Sequence, residues 1–194
     1  MKEYFKLFKV SISYALLIVF VMWIVKGIES LLNLKLYTLG VYPRSVDGLW
    51  GVITSPLLHG DLQHLIANTL PMLILSTLLF FFYGKKSILI FILLWLTSGI
   101  FTWVIGRSSW HIGASSVIYA MASFLVFGGL ISKNYKLILV SVFVIIAYSG
   151  LVFGLLPTSG QVSWEGHLSG VLAGLFWTYI YRNSLKKHKI KGLK

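Results

Sequence analysis

The chain has 194 residues, 57% of them hydrophobic and 11% charged, with a mean hydropathy of +0.86. About a quarter of the residues of a soluble domain are charged, so this composition excludes one and points to an integral membrane protein. The net charge of +12 lies in short clusters between apolar runs, as membrane anchors do and a nucleic-acid stripe does not, and with no cysteine there is neither disulfide nor thiolate.

Six apolar runs approach the roughly 20 residues needed to span hydrocarbon. They predict helices over 7–25, 61–83, 87–105, 114–131, 137–156 and 167–181, within one membrane domain over 1–194 and without repeats. No small-residue cleavage site follows the first run, which reads as a retained helix. The connection 26–60 carries Leu31, Leu34, Leu36, Tyr37, Tyr42 and Trp50. It is too long for a turn and too apolar for a solvated linker, which predicts that it folds onto the membrane surface. Asp61 stands where a helix N-cap is expected, and Pro71, which cannot donate to the Ala67 carbonyl, predicts a kink. A basic tail, 182–194, closes the chain.

Orientation follows from lysine and arginine. Thirteen fall at the N-terminus, between the second and third runs, between the fourth and fifth, and in the tail; the other side has Lys26, Lys35, Arg44 and Arg107. The positive-inside rule predicts both termini in the cytoplasm. Counting back from the basic ends at helical rise puts His167 roughly 22 Å, Asn68 roughly 25 Å and Ser115 roughly 27 Å above them. Three helices thus aim an imidazole, an amide and a hydroxyl at one level, in the outer third of the membrane.

Polar groups at that depth point to function. A His-Glu-x-x-His zinc site is absent, and of Asp47 and Asp61, the only aspartates, the first lies in a connection and the second at the very start of a run, so neither is inside a span. Ser115 and His167 remain: a serine becomes a nucleophile when a neutral imidazole takes its proton. Alone, Ser115 also reads as a helix cap, since it follows Gly113-Ala114 at the start of an apolar run. No intramembrane acid is available to orient the imidazole. Tyr119, one turn below Ser115 on the same face, is a candidate to stack on it, or simply an aromatic packing on a neighbouring helix. Gly166, Gly170 and Gly174 form a small stripe that lets helices approach closely. Gly113, the free Ser115 amide and the helix dipole favour an oxyanion there, with Asn68 and His64 as further donors. His59 and His64 read equally as interfacial histidines.

The run His59, His64, Asn68, then Gly113-Ala114-Ser115, then His167 with Gly170 and Gly174, resembles the rhomboid family of intramembrane serine proteases. The resemblance extends over essentially the whole chain. It implies a six-helix, all-α bundle of the minimal bacterial form, in the bacterial cytoplasmic (inner) membrane. It implies Ser115 as nucleophile and His167 as base, with Asn68, His64 and the Ser115 amide as oxyanion hole. Tyr119 would stack on His167, with Gly113, His59 and Gly170 in support. The substrates would be transmembrane segments of other proteins, cut near the outer face without metal, cofactor or ATP. The fifth helix and its following loop would control access.

Two departures stand out. Ser116 occupies the position after the nucleophile where the family often has glycine, and Trp50 is followed by Gly51 rather than by the arginine frequent in the first loop. Two other readings compete: a catalytically silent member of the fold that binds membrane proteins, and a small transporter or metal-handling protein using His59, His64 and His167. The last lacks intramembrane carboxylates for a relay and an acid behind its histidines.

Overall fold

Backbone amides find no water in hydrocarbon, so long apolar runs close their hydrogen bonds internally as helices. The computed structural model describes residues 2–157 and 163–187, and among these the chain is helical, with one isolated antiparallel bridge, Val41 to His111. The α-helices are α1 (Lys2–Leu31), α2 (Gly51–Thr54), α3 (Leu62–Tyr83), α4 (Ser87–Ile105), α5 (Ser115–Ile131), α6 (Tyr135–Ala147) and α7 (Trp164–Lys186). Among the described residues two stretches are long and apolar enough to cross a membrane: α1, and the 44 residues Leu62–Ile105 in which α3 and α4 meet at a short turn. α6 and the 3-10 turn after it form a third if counted as one bent span.

α5 is the axis of the bundle. Every residue from Ser116 to Leu125 is buried, whereas α1 buries only Ser11, Ala15, Val19 and Met22. Leu17, Phe20, Ile66, Leu70, Leu139 and Ile146 stay exposed, the outward apolar surface of a protein that sits in lipid. α7 lies closest to α5, and its glycine stripe explains why. A Cβ on Gly170 would run into the Ser116 carbonyl and stand 2.8 Å from Tyr119 Cβ; one on Gly174 would stand 2.5 Å from the Ala120 carbonyl. Ser123 Oγ then donates across the contact to the Val171 carbonyl at 2.9 Å.

The long first connection is tied down at the Ser115 end of α5. Val41 and His111 exchange backbone hydrogen bonds of 2.9 and 2.8 Å, and Gly113 N donates to the Ser55 carbonyl at 2.9 Å. Trp103 Nε1 donates to the Ser45 carbonyl at 2.8 Å, and the Arg44 guanidinium to the Gly106 carbonyl at 2.8 Å. Leu32, Val46 and Trp50 stay exposed along this stretch.

Three helices, α1, α6 and α7, differ from the sequence expectation at both ends. α1 continues past Lys26, whose ammonium pairs with Glu29 at 2.7 Å and reaches the Gly60 carbonyl at 3.0 Å. The charge is thus satisfied and the connection starts after Leu31. α7 begins at Trp164 rather than His167 because Ser163 caps it, its Oγ accepting from Gly166 N at 3.1 Å. The fifth run is not one helix over 137–156. α6 ends at Ala147, and a 3-10 turn, Ser149–Leu155, leaves it at 61°. The carbonyls of that turn are drawn to side chains of α5 and α7, described below. Asp61 caps α3, its Oδ1 accepting from His64 N at 2.7 Å, and α3 stays one helix through Pro71. Lys189, Lys191 and Lys194 of the basic tail lie outside the described residues.

Candidate active site

Ser115 is the first residue of α5, and the cap position belongs to Ala114, which has no side-chain donor or acceptor. The hydroxyl is therefore not the cap. Gly113 just before it has φ +109, a conformation side chains disfavour, and a Cβ there would stand 2.5 Å from His64 Cε1 and 2.6 Å from its Nε2. The same point is 3.7 Å from Asn68 Nδ2. α3 thus presents His64 and Asn68, one turn apart, to the loop that delivers Ser115. Asn68 is buried, and its Nδ2 has no hydrogen-bond partner among the described residues.

His59 lies behind this pair, with its ring edge-on to His64 at 5.0 Å. It is 2% exposed and neither ring nitrogen makes a hydrogen bond. Burial, and then the neighbouring His64, push its pKa down to about 4, so it is neutral at physiological pH.

α7 brings His167 against α5. The Tyr119 and His167 rings are stacked, 4.3 Å between centroids and 8° between planes. Nδ1 of His167 is 2.7 Å from the Gly154 carbonyl. A carbonyl can only accept, so Nδ1 carries the proton and, in the neutral ring, Nε2 carries the lone pair. The Tyr119 hydroxyl donates to the Leu151 carbonyl at 2.6 Å. Both carbonyls belong to the turn that leaves α6, so one segment fixes the tautomer of the imidazole and the tilt of the ring stacked on it.

A small polar cavity of about 10 Å³ adjoins Ser115, lined among others by Ser55, Thr102, His111, Ser116 and Ser163. It has room for about one water. His111 donates from Nε2 to the Arg107 carbonyl at 3.0 Å, which leaves Nδ1 to accept from the Ser163 hydroxyl 2.6 Å away. Burial holds this ring below its ordinary pKa, consistent with that neutral tautomer. Arg107 pairs with the buried Glu165 at 3.5 Å, closing the loop before α5 onto the start of α7.

The sequence-predicted residues thus gather around the start of α5: Gly113, His64 and Asn68 on one side, Tyr119, His167 and Gly170 on the other. Gly154, Leu151, His111 and the Arg107–Glu165 pair had not been anticipated. The first two act through backbone carbonyls, which leave no side-chain signature. His111, two residues before Gly113, had a readable signal in its position. Among the described residues no three His, Asp or Glu side chains converge as a metal-binding group.

A family model described as the Rhomboid domain matches residues 46–184, a stretch that holds all of these positions. Uncharacterized proteins of Mycobacterium tuberculosis and Mycobacterium bovis are each 36% identical to the chain over 183 residues, covering 89% of it and 75% of theirs. One from Mycobacterium leprae is 34% identical over 183 residues, covering 89% and 71%.

Proposed function

The chain belongs to the rhomboid family, and on that premise we propose that it is an intramembrane serine endopeptidase that cuts transmembrane segments of other proteins with a Ser115–His167 dyad. The observation that carries this reading is the Nδ1 contact of His167 with the Gly154 carbonyl, 2.7 Å long, together with the Tyr119 stack. They supply what an intramembrane dyad without a carboxylate needs: a neutral imidazole of defined tautomer, its Nε2 lone pair free to act as base.

In the proposed reaction Ser115 Oγ attacks the substrate carbonyl carbon and His167 Nε2 takes the hydroxyl proton. The carbonyl oxygen becomes an oxyanion beside the first amides of α5, which have no intrahelical acceptor. Asn68 Nδ2 and His64 are the side-chain donors nearest that loop. Collapse of the intermediate breaks the C–N bond, and His167 returns the proton to the leaving amine. Water, its proton taken by the same imidazole, then hydrolyses the acyl-enzyme to restore Ser115 and release the acid.

The same proposal gives the chain six crossing helices, with both termini cytoplasmic in a bacterial inner membrane. The start of α1, the Lys85–Lys86 turn and the end of α7 line one cavity, so three of the basic segments share one end of the bundle. Reporters fused after Lys194 and within 108–112 should fall on opposite sides of the membrane. An external tail would overturn the orientation.

The decisive experiment is labelling of the detergent-solubilised full chain with a fluorophosphonate, beside cleavage of a reconstituted transmembrane substrate. Wild type should be labelled and should cleave, and Ser115→Ala should do neither. A folded wild type that does neither is the silent, binding-only member of the fold.

A further inference from the structure

The far end of α3 from Asn68 holds a cavity of about 970 Å³, large for a ligand site. One wall is the start of α1, with Leu7 and Tyr14, and another is the end of α3, with Phe80. Among the described residues its mouth carries three cations, Lys85 and Lys86 from the turn between α3 and α4 and Lys187 from the end of α7, and no acidic one lines it. The three ammonium groups are exposed at the point where the apolar helices end, and Lys86 Nζ is held to Ser184 Oγ at 3.2 Å.

These two halves call for one amphiphile. A soluble anion would answer the lysines and leave the apolar walls uncovered; a neutral lipid would cover the walls and leave the cations unpaired. We propose that the cavity binds one anionic glycerophospholipid, its phosphate among Lys85, Lys86 and Lys187 and an acyl chain along Leu7, Tyr14 and Phe80. Basic pockets between membrane helices suit such headgroups, and each lysine near the surface contributes about a fivefold gain in binding. The site is remote from Ser115 and does not depend on the proteolytic reading.

The test is a titration of the full chain, in neutral detergent, with fluorescent phosphatidylglycerol. Wild type should bind it in preference to phosphatidylcholine. The triple variant Lys85→Gln, Lys86→Gln, Lys187→Gln should bind roughly a hundredfold more weakly. A control that loses the same charge elsewhere, Lys2→Gln, Lys133→Gln, Lys136→Gln, should bind as wild type. Leu7→Trp, which fills the cavity and keeps every cation, should also weaken binding; thermal melts check that each variant is folded. Equal losses in both triple variants would mean diffuse attraction to a basic surface and would overturn the proposal. So would equal affinity for phosphatidylcholine, or full displacement of the lipid by inorganic phosphate.

Discussion

Gly154 accepts a hydrogen bond from Nδ1 of His167 at 2.7 Å, through its backbone carbonyl. Three residues earlier in the same turn, the Leu151 carbonyl accepts from the Tyr119 hydroxyl, and Tyr119 is the ring stacked on His167. The face of this turn away from the site is apolar and open, with Val152 64% and Phe153 73% exposed. A segment with one side toward lipid and the other on the imidazole couples the two. Any displacement of this turn would take the acceptor away from Nδ1 of His167 and from the Tyr119 hydroxyl together.

Gly154→Ala is the first test of that coupling. The added Cβ would collide with the Tyr119 hydroxyl and stand 3.0 Å from His167 Nδ1. A misplaced base of this kind costs on the order of a hundredfold in rate. Fluorophosphonate labelling is the right measurement, because a small soluble reagent does not require a transmembrane segment to be admitted. Tyr119→Phe keeps the stack and loses only the bond to Leu151, so its labelling should fall far less. Wild-type labelling of Gly154→Ala would remove the carbonyl from the mechanism.

Where a local side chain decides an element, the sequence was readable. Asp61 announces α3 because a short carboxylate ahead of an apolar run has an amide to cap; α4 and α5 have no side-chain N-cap, and there the apolar runs alone put both ends within a residue. The failures have a common cause in tertiary contacts. Ser149–Leu155 is as apolar as the helix before it, so hydropathy cannot register that its carbonyls bond to Tyr119 and His167. Lys26 looked like a helix end, yet Glu29 and the Gly60 carbonyl neutralise it. Within the site, the side chains were legible from their types and spacing, while the tautomer-setting acceptor was not.

His59 predicts an acid-sensitive fold. Its folded pKa of about 4 lies below the ordinary 6.5, chiefly through burial, with His64 and Lys26 adding to the shift and the nearby Leu57 backbone and Asp61 opposing it. Between those two values only the unfolded chain takes up the proton. Stability therefore falls as pH drops from 6.5 toward 4, by about 3 kcal/mol from this residue, and levels off below. His59→Phe preserves a ring against His64 and removes two nitrogens that make no hydrogen bond. Melts of the variant in detergent should be at least as high as wild type at neutral pH and should decline less in acid. Parallel curves for the two proteins would contradict this assignment.

The α5–α7 contact should tolerate no added bulk. Gly170→Val places side-chain atoms where the Ser116 carbonyl and Tyr119 Cβ already are, and must push the helices apart. Gly113→Ala is strained twice, by φ +109 and by the His64 ring, for about 1–2 kcal/mol from the backbone alone. Both variants should melt lower than wild type, and Gly113→Ala should also cleave more slowly because it displaces a donor beside Ser115. A Gly170→Val protein with unchanged melting and cleavage would mean that the helices are not in contact there.

The last prediction assigns the adjacent hydroxyls. Ser115→Ala removes the proposed nucleophile and His167→Ala its base, so either should abolish turnover, and the double variant should be no worse than a single one because the two act as a unit. Asn68→Ala deletes one donor of several and should cleave more slowly by roughly 10²–10³ at most. Ser116 is different. It lies about 100° around the helix from Ser115, and its backbone carbonyl is packed against Gly170. Only its hydroxyl, on the small polar cavity, would be lost in Ser116→Ala. That variant, and Ser116→Gly with the residue usual in the family, should cleave nearly as well as wild type. Cleavage of one reconstituted transmembrane substrate by all of these variants, each checked by thermal melt, separates the cases. Activity in Ser115→Ala with none in Ser116→Ala would move the nucleophile by one residue. Full activity in both would mean that the protein is not a serine protease.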